Sequence, residues 1–195
     1  SYVGLSVTMV APKIRFAPLP YVDALDLRPL SDIDLVVVHC TELPQLQDAR
    51  KLGQQIVYPG SGTGNCGHFY IERNGNMEQW VPLERVAHHV RGYNPRSAGI
   101  ELVNQGRYPH WLDSSHQEMT DAYPEAQLRA LLDLLAWLSS RLEGLRWICG
   151  HEDLDRERVT ATDDPERKVR RKRDPGPLFP WDRILSGGTL VRFEG

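Results

Sequence analysis

Three continuous hydrophobic runs predict that the protein contains a β-sheet. Residues 35–40 read Leu-Val-Val-Val-His-Cys, and such a β-branched run is typical of a strand that is buried on both faces. Residues 98–103 and 145–149 are apolar runs that predict two further strands. Residues 68–73 alternate in hydrophobicity, which predicts a strand, and residues 76–81 are expected to form the returning strand of a hairpin. This hairpin lies between the first two runs. The Asn-Gly pair between the hairpin strands, residues 74 and 75, fits a type I′ turn.

Helical spacing of apolar residues appears in three other segments. Residues 44–57 predict a helix whose apolar side carries Leu46, Ala49, Leu52 and Ile56. Pro124 suits the first turn of a second helix, which Gly144 stops. One face of that helix carries Leu128, Leu131, Leu132, Leu135, Leu138 and Leu142. Residues 181–185 predict a short last helix. Strands mixed with helices predict an α/β fold, in which a mixed central β-sheet is flanked by helices.

The length of 195 residues suits one domain with arms at its ends. Residues 1–30 hold four of the 14 prolines and little periodicity, so we expect an N-terminal arm lying on the domain. A single domain is expected over residues 31–186, followed by a C-terminal tail over residues 187–195. The chain begins with serine, and residues 1–8 are foreign or processed if Met9 is the natural start.

Composition narrows the class of protein further. Charged residues make up 25% of the chain and the net charge is −3, which argues against a dedicated nucleic-acid binder. No apolar run reaches the roughly 18 residues that a membrane-spanning helix requires. The three cysteines leave at least one free thiol, which favours a reducing compartment. We therefore expect a cytoplasmic protein, with the periplasm and secretion left open because the natural N-terminus is uncertain.

His39, His151 and Asp174 are the candidate metal ligands. Each histidine lies at the end of a predicted strand, where ligands gather in such sheets, and Asp174 precedes a rigid Pro-Gly-Pro turn. Two imidazoles and a carboxylate leave a fourth position open on zinc, as a hydrolase requires. Cys40 should point to the opposite face of its strand, and Cys149 is a weaker ligand candidate. The alternative is two hydrogen-bonded histidines and an aspartate that caps a turn.

Further polar residues have both a functional and a structural explanation. Glu101 lies inside a predicted strand, so it faces either water or a cleft where burial makes it a general base. Lys172 belongs to the basic run 167–173, a solvated surface run in the simplest interpretation. Because it is tethered two residues before Asp174, it is also placed to stabilise an oxyanion. His89 either lines a pocket or lies on the surface.

Five short motifs in this order resemble the zinc amidases that cleave the bond between N-acetylmuramic acid and L-alanine in peptidoglycan. The same superfamily includes the peptidoglycan recognition proteins and the amidase-type phage lysozymes, and the bacterial AmpD-type enzymes resemble this chain most. The motifs are Val36-Val-Val-His39, Gly67-His-Phe-Tyr-Ile71, Ala98-Gly-Ile-Glu-Leu102, Gly150-His151 and Lys172-Arg-Asp-Pro-Gly-Pro177.

The resemblance implies an amidase fold with one Zn²⁺ per chain, bound by the two histidines and Asp174. It implies that Glu101 relays protons for the attacking water and that Lys172 stabilises the transition state. His89 matches a pocket histidine of the family, and we place Tyr70 with it in the substrate pocket. The expected substrate is peptidoglycan or a muropeptide, including the 1,6-anhydro form. A non-catalytic peptidoglycan sensor is the alternative, and a monomer is favoured.

One departure from compact members of the family concerns the stretch between His151 and Lys172. It is longer here, so residues 152–171 must loop out before Asp174 returns to the metal. Asp163 and Asp164 are therefore competing ligand candidates. Residues 108–121 form a second insertion beside the expected substrate groove.

Overall fold

The computed structural model describes residues 11–195, and the expectation about residues 1–8 and Met9 lies outside this described part. Seven strands form one mixed sheet in the order β1-β4-β3-β5-β2-β6-β9, and β7 and β8 form a separate hairpin. The strands are β1 Ile14–Phe16, β2 Leu35–Cys40, β3 Phe69–Ile71, β4 Met77–Gln79, β5 Ser97–Leu102, β6 Trp147–Gly150, β7 Arg158–Thr160, β8 Lys168–Arg170 and β9 Val191–Arg192. The α-helices are α1 Leu46–Gly53, α2 Glu125–Arg141, α3 His151–Leu154 and α4 Trp181–Ser186.

Strand β2 lies at the centre of the sheet, as its continuous apolar run predicts. All six of its residues are buried, and it pairs in parallel with β5 on one side and β6 on the other. Only β3 and β4 pair antiparallel within this sheet of the described chain. The predicted mixed central sheet with flanking helices is therefore confirmed.

One face of the sheet packs against α2. Alternate residues of β2 and β5, such as Val36, Val38 and Ile100, point toward this helix and are fully buried. The leucines of α2 cover them, and Leu131, Leu134 and Leu138 are each 0% exposed. This packing leaves the opposite face of β2 and β5 free to carry polar side chains.

Two local predictions were wrong. Helix α1 ends at Gly53 rather than extending to residue 57, and Ile56, placed on its apolar side, is 54% exposed in the following loop. The hairpin turn is not type I′, because that turn needs positive φ at both central residues. Only Gly75 has one, at 91°, and its N–H donates to the carbonyl of Glu72. The connection is thus a three-residue loop that ends in a left-handed glycine.

The segments set apart as an arm and a tail both contribute to the sheet. Residues 14–16 form β1, which pairs in parallel with β4 at one edge. Residues 191–192 form β9, which pairs in parallel with β6 at the other edge. Segments near both ends of the described chain therefore form the two edge strands of the sheet, and both strands are very short.

The long charged stretch after His151 is more ordered than a loop. It begins with α3 and continues into the hairpin of β7 and β8, whose strands pair from Arg158 opposite Arg170. The insertion that follows β5 packs against this hairpin, since the N–H of Thr162 donates to the carbonyl of Leu112. Among the described residues, no helix has the length and hydrophobicity needed to cross a bilayer.

Candidate functional site

A row of polar side chains crosses the sheet on the face opposite α2. Glu101 of β5 lies directly beside His39 of β2, and Tyr70 of β3 lies on the other side of Glu101. Val38 pairs with Gly150 at the end of β6, so the next residue, His151, follows at the level of His39. Parallel pairing thus brings together residues that are 112 positions apart in the chain.

His39, His151 and Asp174 converge on one point and are each at most 5% exposed. The Nδ1 atom of His39 lies 3.0 Å from Nδ1 of His151 and 3.0 Å from Oδ2 of Asp174. The third side of this triangle, between His151 and Asp174, measures 3.2 Å. An imidazole nitrogen carries either one in-plane hydrogen or one lone pair, so hydrogen bonds cannot satisfy all three sides. A cation at the common point would satisfy them together.

The size of the triangle suits zinc. Zinc bound tetrahedrally at about 2.0–2.1 Å from nitrogen and oxygen ligands separates those ligands by roughly 3.3 Å. The three sides of 3.0–3.2 Å are close to this value. Two histidines and one carboxylate also leave a fourth position free, as catalytic zinc sites do. The residues present therefore fit a catalytic zinc ion.

Burial and neighbouring charges shift the acid–base behaviour of these groups. Burial, together with His151, lowers the pKa of His39 to about 4, which favours the neutral imidazole that ligates metals. Burial alone would raise the pKa of Asp174, but the two histidines hold it well below the usual value. Burial and the Asp174 charge raise the pKa of Glu101 to about 8. One carboxylate is thus held ionised while its neighbour readily carries a proton.

His89 lies behind His39. Its Nδ1 is 2.8 Å from Nε2 of His39, and its Nε2 is 3.0 Å from Oγ of Ser97. If Nδ1 of His39 ligates a metal, its Nε2 carries the hydrogen and donates to His89, which fixes the orientation of the ring. Gly99 makes room for this contact, since a Cβ there would lie 2.7 Å from Nδ1 of His89. Nε2 of His151 has no such partner among the described residues.

Glu101, Lys172 and Tyr70 line a cleft of about 400 Å³ that opens onto the three candidate ligands. The Oε1 atom of Glu101 is 3.9 Å from Nδ1 of His39, and its Oε2 is buried without a partner in the described chain. The ring of Tyr70 stacks on Trp80, and its hydroxyl accepts the N–H of Gly67. The cleft therefore offers a proton-carrying carboxyl and a cation beside the cluster.

The competing candidates lie elsewhere. Asp163 accepts hydrogen bonds from Ser114 on the surface, and Asp164 caps the turn at Glu166, so the structure brings neither into the cluster. Cys40 packs in the core on the α2 side, as expected from its position after His39. Cys149 is fully buried among apolar residues of the other face.

An ion pair at the rim of the cleft, which we call the Glu42–Arg107 pair, was not predicted from the sequence. Nε and Nη2 of Arg107 lie 2.8 and 3.0 Å from the two carboxylate oxygens of Glu42. The guanidinium side chain is 1% exposed. Both residues stand outside any motif, and the only signal in the sequence was their location just after two predicted strands.

Comparison with known proteins identifies the family. The sequence matches the family model described as N-acetylmuramoyl-L-alanine amidase over residues 29–177. The chain belongs to the N-acetylmuramoyl-L-alanine amidase family. It is 32% identical over 127 residues to the N-acetylmuramoyl-L-alanine amidase AmiD of Escherichia coli, an alignment that covers 59% of this chain and 40% of AmiD. The chain thus spans less than half the length of AmiD.

A further relative and two solved structures align with the chain over more of their own length. The endolysin of Klebsiella phage KP32 is 28% identical over 118 residues, covering 60% of this chain and 74% of the endolysin. The crystal structure of a selenomethionine AmpD derivative superposes with a TM-score of 0.64 at 25% identity, over 91% of this chain and 94% of AmpD. A solved structure of AmiD superposes with a TM-score of 0.61 at 24% identity, over 82% of this chain and 59% of that one. These matches confirm the family and the fold expected from the five motifs.

Proposed function

We propose that this protein is a zinc-dependent hydrolase that cleaves the amide bond between N-acetylmuramic acid and L-alanine. The observation that carries the proposal is the triangle formed by Nδ1 of His39, Nδ1 of His151 and Oδ2 of Asp174, which hydrogen bonds cannot satisfy. Membership of the amidase family supports the reaction class. The neighbouring cleft supplies the acid–base groups that the reaction needs.

His39, His151 and Asp174 would hold the zinc ion through the three atoms of the triangle. When bound there, zinc would supply a Lewis acid that polarises the scissile carbonyl and lowers the pKa of water. Glu101 takes a proton from the attacking water and delivers it to the amine of the leaving L-alanine. Its buried carboxyl, with a pKa raised to about 8 in the metal-free protein, is suited to carry that proton between the two steps.

Lys172 stabilises the negative charge that develops on the carbonyl oxygen. It lines the same cleft as Glu101, and its ammonium makes no hydrogen bond or ion pair with the described residues. A cation that is not neutralised by a protein carboxylate remains available to an oxyanion. Tyr70 and Glu101 face the cleft from neighbouring strands, so the scissile bond would lie between the sheet row and Lys172.

The proposed substrate is a muramoyl peptide. AmiD was solved in complex with the substrate anhydro-N-acetylmuramic acid-L-Ala-D-gamma-Glu-L-Lys, and AmpDh3 of Pseudomonas aeruginosa with an anhydromuramic pentapeptide. Both relatives superpose on this chain over most of its length, which supports a substrate of the same chemical class. We propose soluble anhydro-muropeptides as the first substrate to assay, beside intact sacculi.

The decisive experiment measures bound zinc and cleavage on the same preparations. Asp174→Ala should lose both zinc and activity, because one of the three corners of the triangle disappears. Glu101→Gln should keep about one zinc per chain and lose activity, since the amide cannot accept a proton. Asp163→Ala is the matched control, because this carboxylate lies on the surface beside Ser114 and should change neither.

Each outcome separates the proposal from its alternative. A wild-type protein that binds zinc and releases L-alanine-containing peptide from soluble muropeptides supports the amidase. A protein that binds muropeptide but neither holds zinc nor cleaves would instead be a sensor, and the proposal would be abandoned. Activity that survives in Asp174→Ala would show that another ligand set is used.

A further inference from the structure

We propose that Arg107, held by Glu42, is a positioning residue that sets the backbone of Lys172 in the cleft. The inference rests on the proposed function, because Lys172 matters for catalysis only if the cleft hydrolyses an amide. Arg107 also links the two segments that were expected to be insertions, 108–121 and 152–171, through Gln117, Arg170 and Arg171.

Arg107 uses all five of its guanidinium N–H groups. Two of them bind the Glu42 carboxylate, and one donates to Oε1 of Gln117 at 3.0 Å. The remaining two donate to backbone carbonyls, that of Arg170 at 2.8 Å from Nη1 and that of Arg171 at 3.2 Å from Nη2. One side chain therefore joins the end of β2, the insertion after β5 and the segment that leads to Lys172.

The contact with the Arg171 carbonyl acts directly on Lys172. The peptide unit between these two residues is planar, so a hydrogen bond that holds its oxygen also restrains the N–H and Cα of Lys172. The side chains of the two preceding residues reinforce this placement. Arg171 pairs with Asp155, and Arg170 donates to the carbonyl of Glu152 at 2.6 Å.

The local structure around Glu42 is built to hold its carboxylate under Arg107. Glu42 has a φ of 52°, the only positive φ of a non-glycine residue in the described chain. Gly106 gives it room, since a Cβ there would lie 2.4 Å from Cγ of Glu42. The N–H of Arg107 donates to the same carboxylate at 3.0 Å, and the indole of Trp111 donates to the Glu42 carbonyl. Such a buried ion pair requires this complete set of partners.

Lys172 needs external positioning because no hydrogen bond or ion pair within the described chain fixes its ammonium group. Because Lys172 makes no hydrogen bond or ion pair with the described residues, the direction of its side chain depends on where the backbone places its Cα. A displacement of about 1 Å at a catalytic group typically costs on the order of 100-fold in rate. Loss of the Arg107 fork should therefore lower kcat through Lys172 without removing a ligand of the metal cluster.

The test is a double-mutant cycle between Arg107→Lys and Lys172→Ala. Arg107→Lys keeps the charge opposite Glu42 but loses the forked contacts to the two carbonyls. We expect it to lower kcat by roughly 10- to 100-fold, with KM and zinc content unchanged. In the Lys172→Ala background the same change should lower kcat by less than about twofold, because the group it positions is gone. Arg183→Lys, in a surface pair with Glu125, is the matched control.

A second measurement works without activity. Competitive acetylation, quantified by mass spectrometry, reports the reactivity of each lysine amine. Arg107→Lys should change the reactivity of Lys172 and leave that of the exposed Lys13 unchanged. If Arg107→Lys does not fold, the charge-free pair Glu42→Gln with Arg107→Gln takes its place in both measurements.

The outcomes distinguish the two proposals. Additive losses in the cycle, or unchanged Lys172 labelling in Arg107→Lys, would overturn the positioning role even if the protein is an amidase. A wild-type protein without amidase activity would overturn the proposed function, whereas a labelling change confined to Lys172 would still support the structural link.

Discussion

Gly99→Ala tests whether the contact between His89 and His39 orients His39 for the proposed zinc ion. The added Cβ would lie 2.7 Å from Nδ1, 2.8 Å from Cγ and 3.0 Å from Cε1 of His89. Ordinary carbon contacts are about 3.5 Å, so the ring of His89 must retreat by roughly 0.8 Å. A retreat of that size is enough to break its 2.8 Å contact with Nε2 of His39.

Two quantities should change. Loss of a hydrogen-bond partner behind a metal ligand typically weakens metal binding by about 10- to 100-fold. Overpacking at this site should also destabilise the metal-free protein by about 1–3 kcal/mol, partly offset because alanine loses less backbone entropy than glycine in a strand. Zinc affinity is measured by competition with a chelator, and stability by urea unfolding with excess EDTA.

Two further variants make the reasoning refutable. Gly60→Ala adds the same methyl group in open space, with nothing within 4 Å, and should leave zinc affinity unchanged. In the His89→Ala background the ring is absent, so adding Gly99→Ala should cost no further stability. If Gly99→Ala binds zinc as tightly as the wild type, the contact with His89 does not orient His39.

Three other sets of variants test the acid–base behaviour of Glu101, the packing of the core and the turn at Asp174. In EDTA, the free energy of unfolding of the wild type relative to Glu101→Gln should fall by about 1.4 kcal/mol per pH unit between pH 5 and pH 8. The reason is that the pKa of Glu101 in the folded protein, about 8, exceeds its unfolded value, so the native state must retain a proton. A difference that urea titrations find to be independent of pH would contradict this. Leu134→Ala in the core should cost about 2–5 kcal/mol in urea unfolding, whereas Leu27→Ala, at a side chain 70% exposed, should cost less than about 0.5 kcal/mol. Tyr123→Phe removes a 2.5 Å hydrogen bond to the carbonyl of Pro175, so it should lower the free energy of unfolding by about 1 kcal/mol and weaken zinc binding. An unchanged zinc affinity would show that this bond does not hold the turn at Asp174.

The parts of the site that could be predicted are those that depend on the ends of buried strands. The run at residues 35–40 is apolar on both faces, so a histidine near its end stands out as a polar group in a buried strand. His151 can be recognised in the same way, because it follows the apolar strand β6. Parallel pairing of β2 with β6 then brings the two histidines together. Asp174 was identified by its rigid turn context and by the family resemblance.

The parts that were missed depend on contacts between segments that are distant in sequence. The Glu42–Arg107 pair spans 65 positions, and the acceptors of Arg107 at the end of β8 and just after it are backbone carbonyls, which leave no trace in the sequence. The hairpin of β7 and β8 was missed because each strand is only three residues long and has a single valine between polar residues. Alternation over so few residues is too short a pattern to predict a strand. The prediction of the turn type at Gly75 was wrong because an Asn-Gly pair also fits a three-residue loop.

The direct pairing of His39 with Glu101 on β2 and β5 has a consequence for how such a protein can be altered. Amide protons on these central strands should exchange with solvent only when the whole domain unfolds, so the chemical centre is as durable as the fold itself. The walls of the cleft, by contrast, come largely from segments outside these strands, within residues 49–66, 88–94 and 171–172. Grafting a different wall over residues 49–66 should therefore redirect specificity while the centre stays intact, provided that the segment before Lys172 keeps its contacts with Arg107.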